Sequence, residues 1–238
     1  MVEIVAEVSG NHDGSMEKML RLIYEAADGA NHGMDGCDYV KFQYYRPEDM
    51  PDCHDGDNLE MYCKLAVPDH WLPMMFAAAK TLKIGLFASV FSDMAAKELL
   101  KYDVPYIKIA SPESTRLPME TYKEIVRAIP RHIGLLVSSG LKDWSAMTVL
   151  DGLRIQCPPG HPPSDRDIWE YLRLYDRDYH YGFSDHTSGI QVPLAFIRRG
   201  ARMIEKHFKL EGDVCCVDAN FSADPATMRQ LCKLARSA

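Results

Sequence analysis

The sequence lacks the features of a secreted or membrane-anchored chain. No apolar run approaches the roughly 18 residues that a membrane span needs, and Glu3 stands where a signal peptide carries basic residues. Its seven cysteines are an odd number without regular spacing, unlike a disulfide framework. We therefore predict a cytoplasmic protein with no membrane partner.

An excess of basic residues is also missing, because 27 lysines and arginines stand against 34 acidic residues. This balance argues against a nucleic-acid partner, and an anionic substrate would need a local basic pocket. No linker, internal repeat or low-complexity segment divides the 238 residues. A single domain over residues 1–238 is the expectation.

Eight short apolar segments are typical of buried strands, and helical patterns follow them. The predicted strands span residues 3–8, 39–43, 85–89, 106–110, 133–138, 153–157, 181–187 and 203–208. The predicted helices span residues 15–29, 69–82, 92–101, 116–129, 145–150, 165–175, 190–199 and 224–236. A doubly wound sheet is the alternative, but eight units without a glycine-rich dinucleotide turn favour a single (β/α)₈ TIM barrel.

The longest segment without a predicted element is residues 44–68, which is polar and contains Gly56 and prolines. A structureless loop of this length inside a domain is usually functional or mobile.

Two predicted strands carry a histidine at the far end, His186 and His207. Neutral imidazoles at neighbouring strand ends predict a metal site, and Asp185 and Glu205 beside them are candidate further ligands. Strand alternation places Glu205 and His207 on one face and Lys206 on the other. The alternative is that each histidine only caps its strand.

Polar residues collect at the carboxyl ends of the other predicted strands, where TIM barrels carry their reactive groups. Lys41 and Lys108 lie inside apolar strand sequences, which is costly unless an anion meets them. With nearby serines they predict a phosphate or carboxylate cradle. The alternative is a pair of structural ion pairs with Glu7 or Glu113. A metal beside an anion site favours carbonyl addition or a phosphoryl-linked condensation.

Six motifs resemble those of the N-acetylneuraminate (sialic acid) synthase family, in the same order along the chain. They are AEVSGNHDG at residues 6–14, YVKFQ at 39–43, YIKIAS at 106–111, SSG at 138–140, GFSDHT at 182–187 and IEKHF at 204–208. The resemblance implies a metal-dependent condensation of phosphoenolpyruvate with an aldehyde sugar such as N-acetylmannosamine. Its products would be a nine-carbon α-keto acid and phosphate.

The resemblance also implies what individual residues do. His186 and His207 would hold Mn²⁺ or Mg²⁺, and Glu7 would act in proton transfer. The expected phosphoenolpyruvate ligands are Lys41, Ser89, Lys108, Ser111 and Ser138. The expected contacts to the sugar are Gln43, Glu113 and Asp218.

The sequence departs from the family pattern at the sixth strand. The family has a His-Cys motif followed by Asn and Tyr, where this sequence has Gln156, Cys157, Pro159 and His161. Ser89 replaces a common threonine but keeps the hydroxyl. We therefore expect an active synthase with a changed or smaller acceptor. The alternatives are a catalytically weak barrel that binds a phosphorylated metabolite or a partner chain, and an aldolase that forms a Schiff base on Lys108.

Family members usually carry a C-terminal antifreeze-like domain that closes the active site of the partner subunit. This sequence ends at Ala238 without one. The resemblance therefore implies a homodimer or a separate lid domain, and residues 44–68 are a candidate replacement lid.

Overall fold

Eight parallel strands form a closed barrel in the computed structural model, which describes residues 2–29, 35–50, 56–110, 119–140 and 152–237. Each strand pairs with its neighbours in sequence, and the last strand closes onto the first through pairs such as Glu7 with His207. The strands are β1 Glu3–Glu7, β2 Tyr39–Tyr44, β3 Gly85–Val90, β4 Tyr106–Ile109, β5 Gly134–Ser139, β6 Leu153–Gln156, β7 Gly182–Asp185 and β8 Met203–His207. The predicted (β/α)₈ barrel is confirmed.

Helices follow the strands, and all those described except α2 lie where the apolar spacing predicts them. They are α1 Met16–Ala26, α2 Gly56–Leu65, α3 Leu72–Leu82, α4 Asp93–Leu99, α5 Met119–Ala128, α6 Asp165–Leu174, α7 Gln191–Arg198 and α8 Pro225–Arg236. Ser15, Ser92, Ser164 and Asp224 cap α1, α4, α6 and α8 by accepting a hydrogen bond from a backbone N–H of the first turn. The helix predicted at 145–150 lies outside the described residues.

The apolar core has two layers because strand side chains alternate between the two faces of the barrel wall. Outward side chains pack against the helices, as where Phe183 of β7 stacks on Phe196 of α7 with ring centroids 3.6 Å apart. Inward side chains form a smaller layer across the barrel interior, made by Val5, Phe87, Leu136, Ile155 and Met203. This inner layer separates the two ends of the barrel.

The end below that layer, where the strands begin, is closed by a carboxylate and three tyrosines. Tyr39, Tyr106 and Tyr181 each donate a hydrogen bond to the carboxylate of Glu3, at 3.0, 3.1 and 2.8 Å. Gly134 leaves room for one of these rings, since a Cβ at that position would lie 2.3 Å from Cδ1 of Tyr106. We call this set, Glu3 with the three tyrosines, the floor of the barrel.

The prediction that residues 44–68 are a structureless loop is wrong. This segment contains a 3₁₀ turn at Pro47–Asp49 and the helix α2. Tyr62 and Leu65 recur at helical spacing: Tyr62 meets the ring of Tyr45 edge-on, and Leu65 is nine-tenths buried. The two apolar contacts hold the segment against the barrel, and the polarity of its other residues hid the pattern.

Two further properties bear on the expectations from composition. The described cysteines are free thiols: Cys37, Cys63, Cys157, Cys215, Cys216 and Cys232. Within the described ranges, none of the helices is both long enough and apolar enough to cross a bilayer.

Candidate active site

A cavity of about 160 Å³ opens at the carboxyl ends of the strands, and we call it the mouth of the barrel. Nine residues that the sequence marks as site candidates line this one cavity. They are Glu7, Lys41, Gln43, Lys108, Ser138, His186, Glu205, His207 and Asp218. Their convergence follows from strand parity, since side chains two residues apart on one strand face the same side.

Both lysines of the mouth form buried ion pairs. Lys41 Nζ lies 2.5 Å from Glu7 Oε2 and 3.9 Å from Glu205 Oε1, and Lys108 Nζ lies 2.6 Å from Glu205 Oε1. Ser184 also donates a hydrogen bond of 2.9 Å to the same Glu205 oxygen. All four charged side chains are less than 5% exposed. Glu205 therefore binds lysines rather than orienting His207.

The two glutamates of the mouth differ in acidity. Burial by itself would raise the pKa of Glu205, but Lys108 and Lys41 outweigh burial and lower the pKa to about 2. Burial raises the pKa of Glu7 and the nearby Glu205 charge adds to the rise, while Lys41 only partly compensates. Glu205 is thus a fixed anion, and Glu7 is the carboxyl of the mouth best suited to exchange a proton.

The paired histidines meet at the rim of the mouth, with ring centroids 5.0 Å apart. Burial, reinforced by His207 and His161, holds the pKa of His186 well below its usual range, so this imidazole is neutral. Asp218 Oδ2 lies 3.0 Å from Nδ1 of His207. The other ring nitrogen, Nε2, is therefore the one that could bind a metal ion.

His186 and His207 could supply two of the ligands that a divalent cation needs. A neutral imidazole and a second one held by a carboxylate are the ligand types that Mn²⁺ and Zn²⁺ accept. Across the described part of the chain, no group of three or more His, Cys, Asp or Glu side chains is arranged to hold a metal ion. The two histidines therefore fit as protein ligands only if substrate or water completes the coordination.

Asp185 is not available as the further ligand that the sequence suggested. Its carboxylate lies 2.6 Å from Lys206 Nζ, and both side chains are fully buried on the outer face of the barrel wall. Lys206 also donates to the carbonyl oxygen of Thr187 at 2.7 Å. Strand alternation turns Asp185 and Lys206 away from the inward-facing His186 and His207, so this pair supports the wall.

Asn11, in the first of the six motifs, has a structural role. Its fully buried side chain donates to the carbonyl oxygen of Phe208 at 2.9 Å and accepts from the backbone N–H of Asp218 at 3.0 Å. The loop after β1 is thereby tied to the loop after β8. This tie positions Asp218 beside His207.

The remaining predicted residues do not line the cavity: Ser89 lies behind its wall, and Ser111 and Glu113 lie outside the described residues. Ser89 is fully buried and accepts a 2.9 Å hydrogen bond from Lys41 Nζ, so it supports that lysine. Ser111 and Glu113 lie outside the described residues, and their assignment stays a prediction.

The mouth also contains residues that sequence reasoning did not assign to the site. Ser9, Cys157, His161 and Ser184 line the cavity. The ring of His161 lies over that of His186 with centroids 4.1 Å apart, and Cys157 Sγ lies 4.0 Å from Nδ1 of His186. Strand parity was a usable signal, because Ser9, Cys157 and Ser184 are each two residues from an inward-facing side chain.

A family profile and individual relatives of this chain point to the same family of proteins. The sequence profile of the NeuB family matches residues 29–147 and 168–238. The pseudaminic acid synthase of Helicobacter pylori is 29% identical over 93% of this chain and 70% of its own length. The N,N'-diacetyllegionaminic acid synthase of Legionella pneumophila is 25% identical over 99% of this chain and 71% of its own length.

A solved structure shares the fold. The N-acetylneuraminic acid synthetase of Leptospira borgpetersenii, crystallised with citrate, superposes with a TM-score of 0.82 at 23% identity. The match covers 99% of this chain and 83% of that one.

Proposed function

This chain belongs to the NeuB family, whose synthases condense phosphoenolpyruvate with a sugar, and we propose that it joins phosphoenolpyruvate to an aldehyde sugar with release of phosphate. The observation that carries the proposal is the mouth itself. Two buried lysines, a glutamate with a raised pKa and two adjoining histidines line one small cavity.

The lysines supply the binding site for phosphoenolpyruvate. Its phosphate and carboxylate would compete with Glu7 and Glu205 for Lys41 and Lys108, which already face an anion in the free protein. Protonation of Glu7, which its raised pKa favours, would leave Lys41 free of its nearest carboxylate partner. Lys41 and Lys108 would then share the single carboxylate of Glu205, which leaves cationic capacity for an anionic substrate.

The reaction forms one carbon–carbon bond and breaks one bond to phosphate. Carbon 3 of phosphoenolpyruvate attacks the aldehyde carbon, water adds at carbon 2, and phosphate leaves to give the α-keto acid. Glu7, protonated when phosphoenolpyruvate is bound, is placed to give its proton to the aldehyde oxygen as the carbon–carbon bond forms and to take one proton from the water that adds at carbon 2. The second proton of that water passes from the carbon 2 hydroxyl to the departing phosphate. Lys41 and Lys108 stabilise the negative charge on phosphate as it departs.

His186 and His207 would hold a divalent cation, with Mn²⁺ or Mg²⁺ as the candidates. When bound there, such a cation supplies a Lewis acid for the aldehyde oxygen. Asp218 keeps His207 oriented, and the low pKa of His186 keeps its ring nitrogen available as a ligand.

The acceptor is proposed to be an acylamino sugar aldehyde related to N-acetylmannosamine. The names of the relatives point to sugar acids of this class. His161 lines the mouth, and its ring lies over that of His186 with centroids 4.1 Å apart. Such a flat side chain suits the ring or acyl group of a sugar, and we assign Gln43 and Asp218 as further polar contacts.

The direct test is phosphate release from phosphoenolpyruvate by purified protein with Mn²⁺, across N-acetylmannosamine, other acylamino hexoses and shorter aldehydes. We expect release only when an aldehyde is present, and its loss in His186→Ala. A second readout is Mn²⁺ binding by electron paramagnetic resonance, which should weaken at least tenfold in His186→Ala and His207→Ala. Aldehyde-independent release, or full activity after chelation, would contradict the proposal.

The Schiff-base alternative requires Lys108 to act as a neutral amine. Its ammonium lies 2.6 Å from Glu205, whose low pKa keeps a full negative charge beside it. Borohydride treatment with pyruvate should therefore leave no adduct on Lys108. A covalent adduct detected by mass spectrometry would favour the aldolase instead.

A further inference from the structure

Three arginines border a second concavity at the opposite end of the barrel from the mouth. Its volume is about 130 Å³, and Arg154, Arg177 and Arg202 line it together with Tyr179 and His180. It lies where β6, β7 and β8 begin, an end that in TIM barrels serves stability rather than chemistry. A cluster of guanidinium groups there has no part in the proposed reaction.

Backbone pairing brings two of the arginines together. The N–H of Tyr181 donates to the carbonyl oxygen of Arg154 at 2.8 Å, and the N–H of Arg202 donates to the carbonyl oxygen of Tyr181 at 2.9 Å. Arg154 therefore lies at the start of β6 and Arg202 just before β8, on either side of Tyr181, which precedes β7. Their spacing is set by the barrel wall and not by a loose loop.

The other contacts hold the remaining groups in place. The guanidinium carbon of Arg154 lies 3.8 Å from the ring centroid of Tyr179, which fixes that group against an aromatic face. The stem of Arg177 packs on Gly200, where a Cβ would fall 3.1 Å from Cβ and Cδ of the arginine. Gly200 has a φ of +93°, so the close approach depends on glycine there.

The charges of this concavity are poorly balanced. The acidic residue that lines it is Asp178, whose side chain is 86% exposed and lies 3.9 Å from Nε of Arg177. Neither Arg154 nor Arg202 forms a side-chain hydrogen bond or an ion pair with another residue in the described ranges. Because arginine stays charged at any physiological pH, a bound anion would relieve the repulsion.

We propose that this arginine concavity binds a phosphate group, either as inorganic phosphate or on a small phosphate monoester. Guanidinium forks match tetrahedral oxyanions with paired hydrogen bonds. The three guanidinium groups line a concavity of about 130 Å³, so the phosphate group is the part of a ligand that they would recognise.

The test must separate this concavity from the mouth, whose lysines also attract phosphate. Amide chemical shifts in ¹H–¹⁵N NMR spectra of the whole chain report each end separately, with Tyr179 and Gly200 for the arginine concavity and Ser184 for the mouth. Titration uses inorganic phosphate in one arm and glycerol 3-phosphate in the other, and chloride at equal ionic strength is the reference. We expect saturable shifts at Tyr179 and Gly200 that chloride does not reproduce.

Variants then assign the binding to the arginines. Arg154→Gln with Arg202→Gln should weaken the affinity measured at Tyr179 and Gly200 at least tenfold, while the response of Ser184 is unchanged. Arg166→Gln removes one exposed charge elsewhere, on α6, and should leave both responses within twofold. Arg177→Gln, on an exposed side chain, provides a second weakening variant should the double variant fold poorly.

Three results would overturn the proposal. Phosphate could shift only the amides of the mouth, or the double variant and Arg177→Gln could bind as tightly as the wild type. Equal weakening by Arg166→Gln would also overturn it, since the effect would then be one of net charge. Saturation by glycerol 3-phosphate alone identifies the monoester as the source, and saturation by both identifies the phosphate group itself.

Discussion

The carboxylates at the two ends of the barrel have different partners. At the mouth, Glu7 and Glu205 face lysine ammonium groups. At the floor, Glu3 accepts hydrogen bonds from three tyrosine hydroxyls. An ammonium group can exchange one anion for another, so the mouth is able to accept an anionic substrate. The tyrosine hydroxyls enclose Glu3 without offering a cation, so the floor serves stability.

The same strands build both ends. On β2, Tyr39 belongs to the floor and Lys41 to the mouth, and on β4 the pair is Tyr106 and Lys108. Side chains two residues apart on a strand point to the same face. On each of these strands, the floor residue and the mouth residue are therefore adjacent inward-facing positions. Paired variants on one strand therefore test the comparison with little change in context.

The largest expected effect on stability is at the mouth. Glu205→Gln leaves Lys108 buried without its carboxylate, and breaking such a pair should lower the free energy of unfolding by about 3–5 kcal/mol. Urea denaturation followed by circular dichroism at pH 7 measures it. Glu124→Gln on the exposed face of α5 is the matched control and should change stability by less than about 0.5 kcal/mol. A loss below about 1 kcal/mol would mean that Glu205 is solvated rather than paired.

The pH dependence of stability should follow the same pair. The pKa of Glu205 is lowered from 4.5 to about 2, so its contribution is complete above pH 4.5 and is lost as the pH falls toward 2. For this one group the loss is on the order of 3 kcal/mol. Glu7 acts in the opposite direction, because its raised pKa gives stability at low pH that is lost as the pH rises.

The comparison that isolates Glu205 is the difference between wild type and Glu205→Gln. Urea midpoints at several pH values between 3 and 7 should converge for the two proteins as the pH falls. Parallel curves would contradict the lowered pKa, since other acidic groups titrate in both proteins.

Activity should separate the two ends of β4. Lys108→Met removes a cation that the proposed function assigns to phosphoenolpyruvate. It should lower kcat/KM by at least about 100-fold, largely through a higher KM for phosphoenolpyruvate. Tyr106→Phe, two residues away at the floor, should keep kcat/KM within about twofold. Steady-state phosphate release measures both. An unchanged KM in Lys108→Met would place this lysine in a purely structural ion pair.

The smallest expected effect belongs to the floor. Glu3→Gln keeps one acceptor oxygen for three donating hydroxyls and should cost about 1–3 kcal/mol of stability. For a chain of 238 residues, each kcal/mol corresponds to about 2–4 °C in Tm. Calorimetry together with kcat per folded molecule tests it. A drop in kcat without a drop in Tm would show that the two ends are coupled across the apolar layer.

Much of the fold could be predicted because the strand and helix patterns are local. Eight apolar segments with intervening helical spacing were sufficient for the barrel, and strand parity brought Lys41, Lys108, His186 and His207 into one cavity. The helix α2 was missed because Tyr62 and Leu65 pack on residues distant in sequence, while their neighbours are polar. The spacing of apolar residues along the chain does not reveal which surface of the folded protein a segment will cover.

The amino-acid sequence by itself determined the barrel, its inward and outward faces and the residue types at each strand end, since these follow from periodicity and from the cost of burying charge. Only the tertiary structure decided the partners. Glu205 pairs with Lys108, Asp185 pairs with Lys206, and three tyrosines from separate strands converge on Glu3. These contacts join residues from separate strands, and closure of the barrel, which no local pattern encodes, brings Glu3 and Glu205 within reach of distant strands.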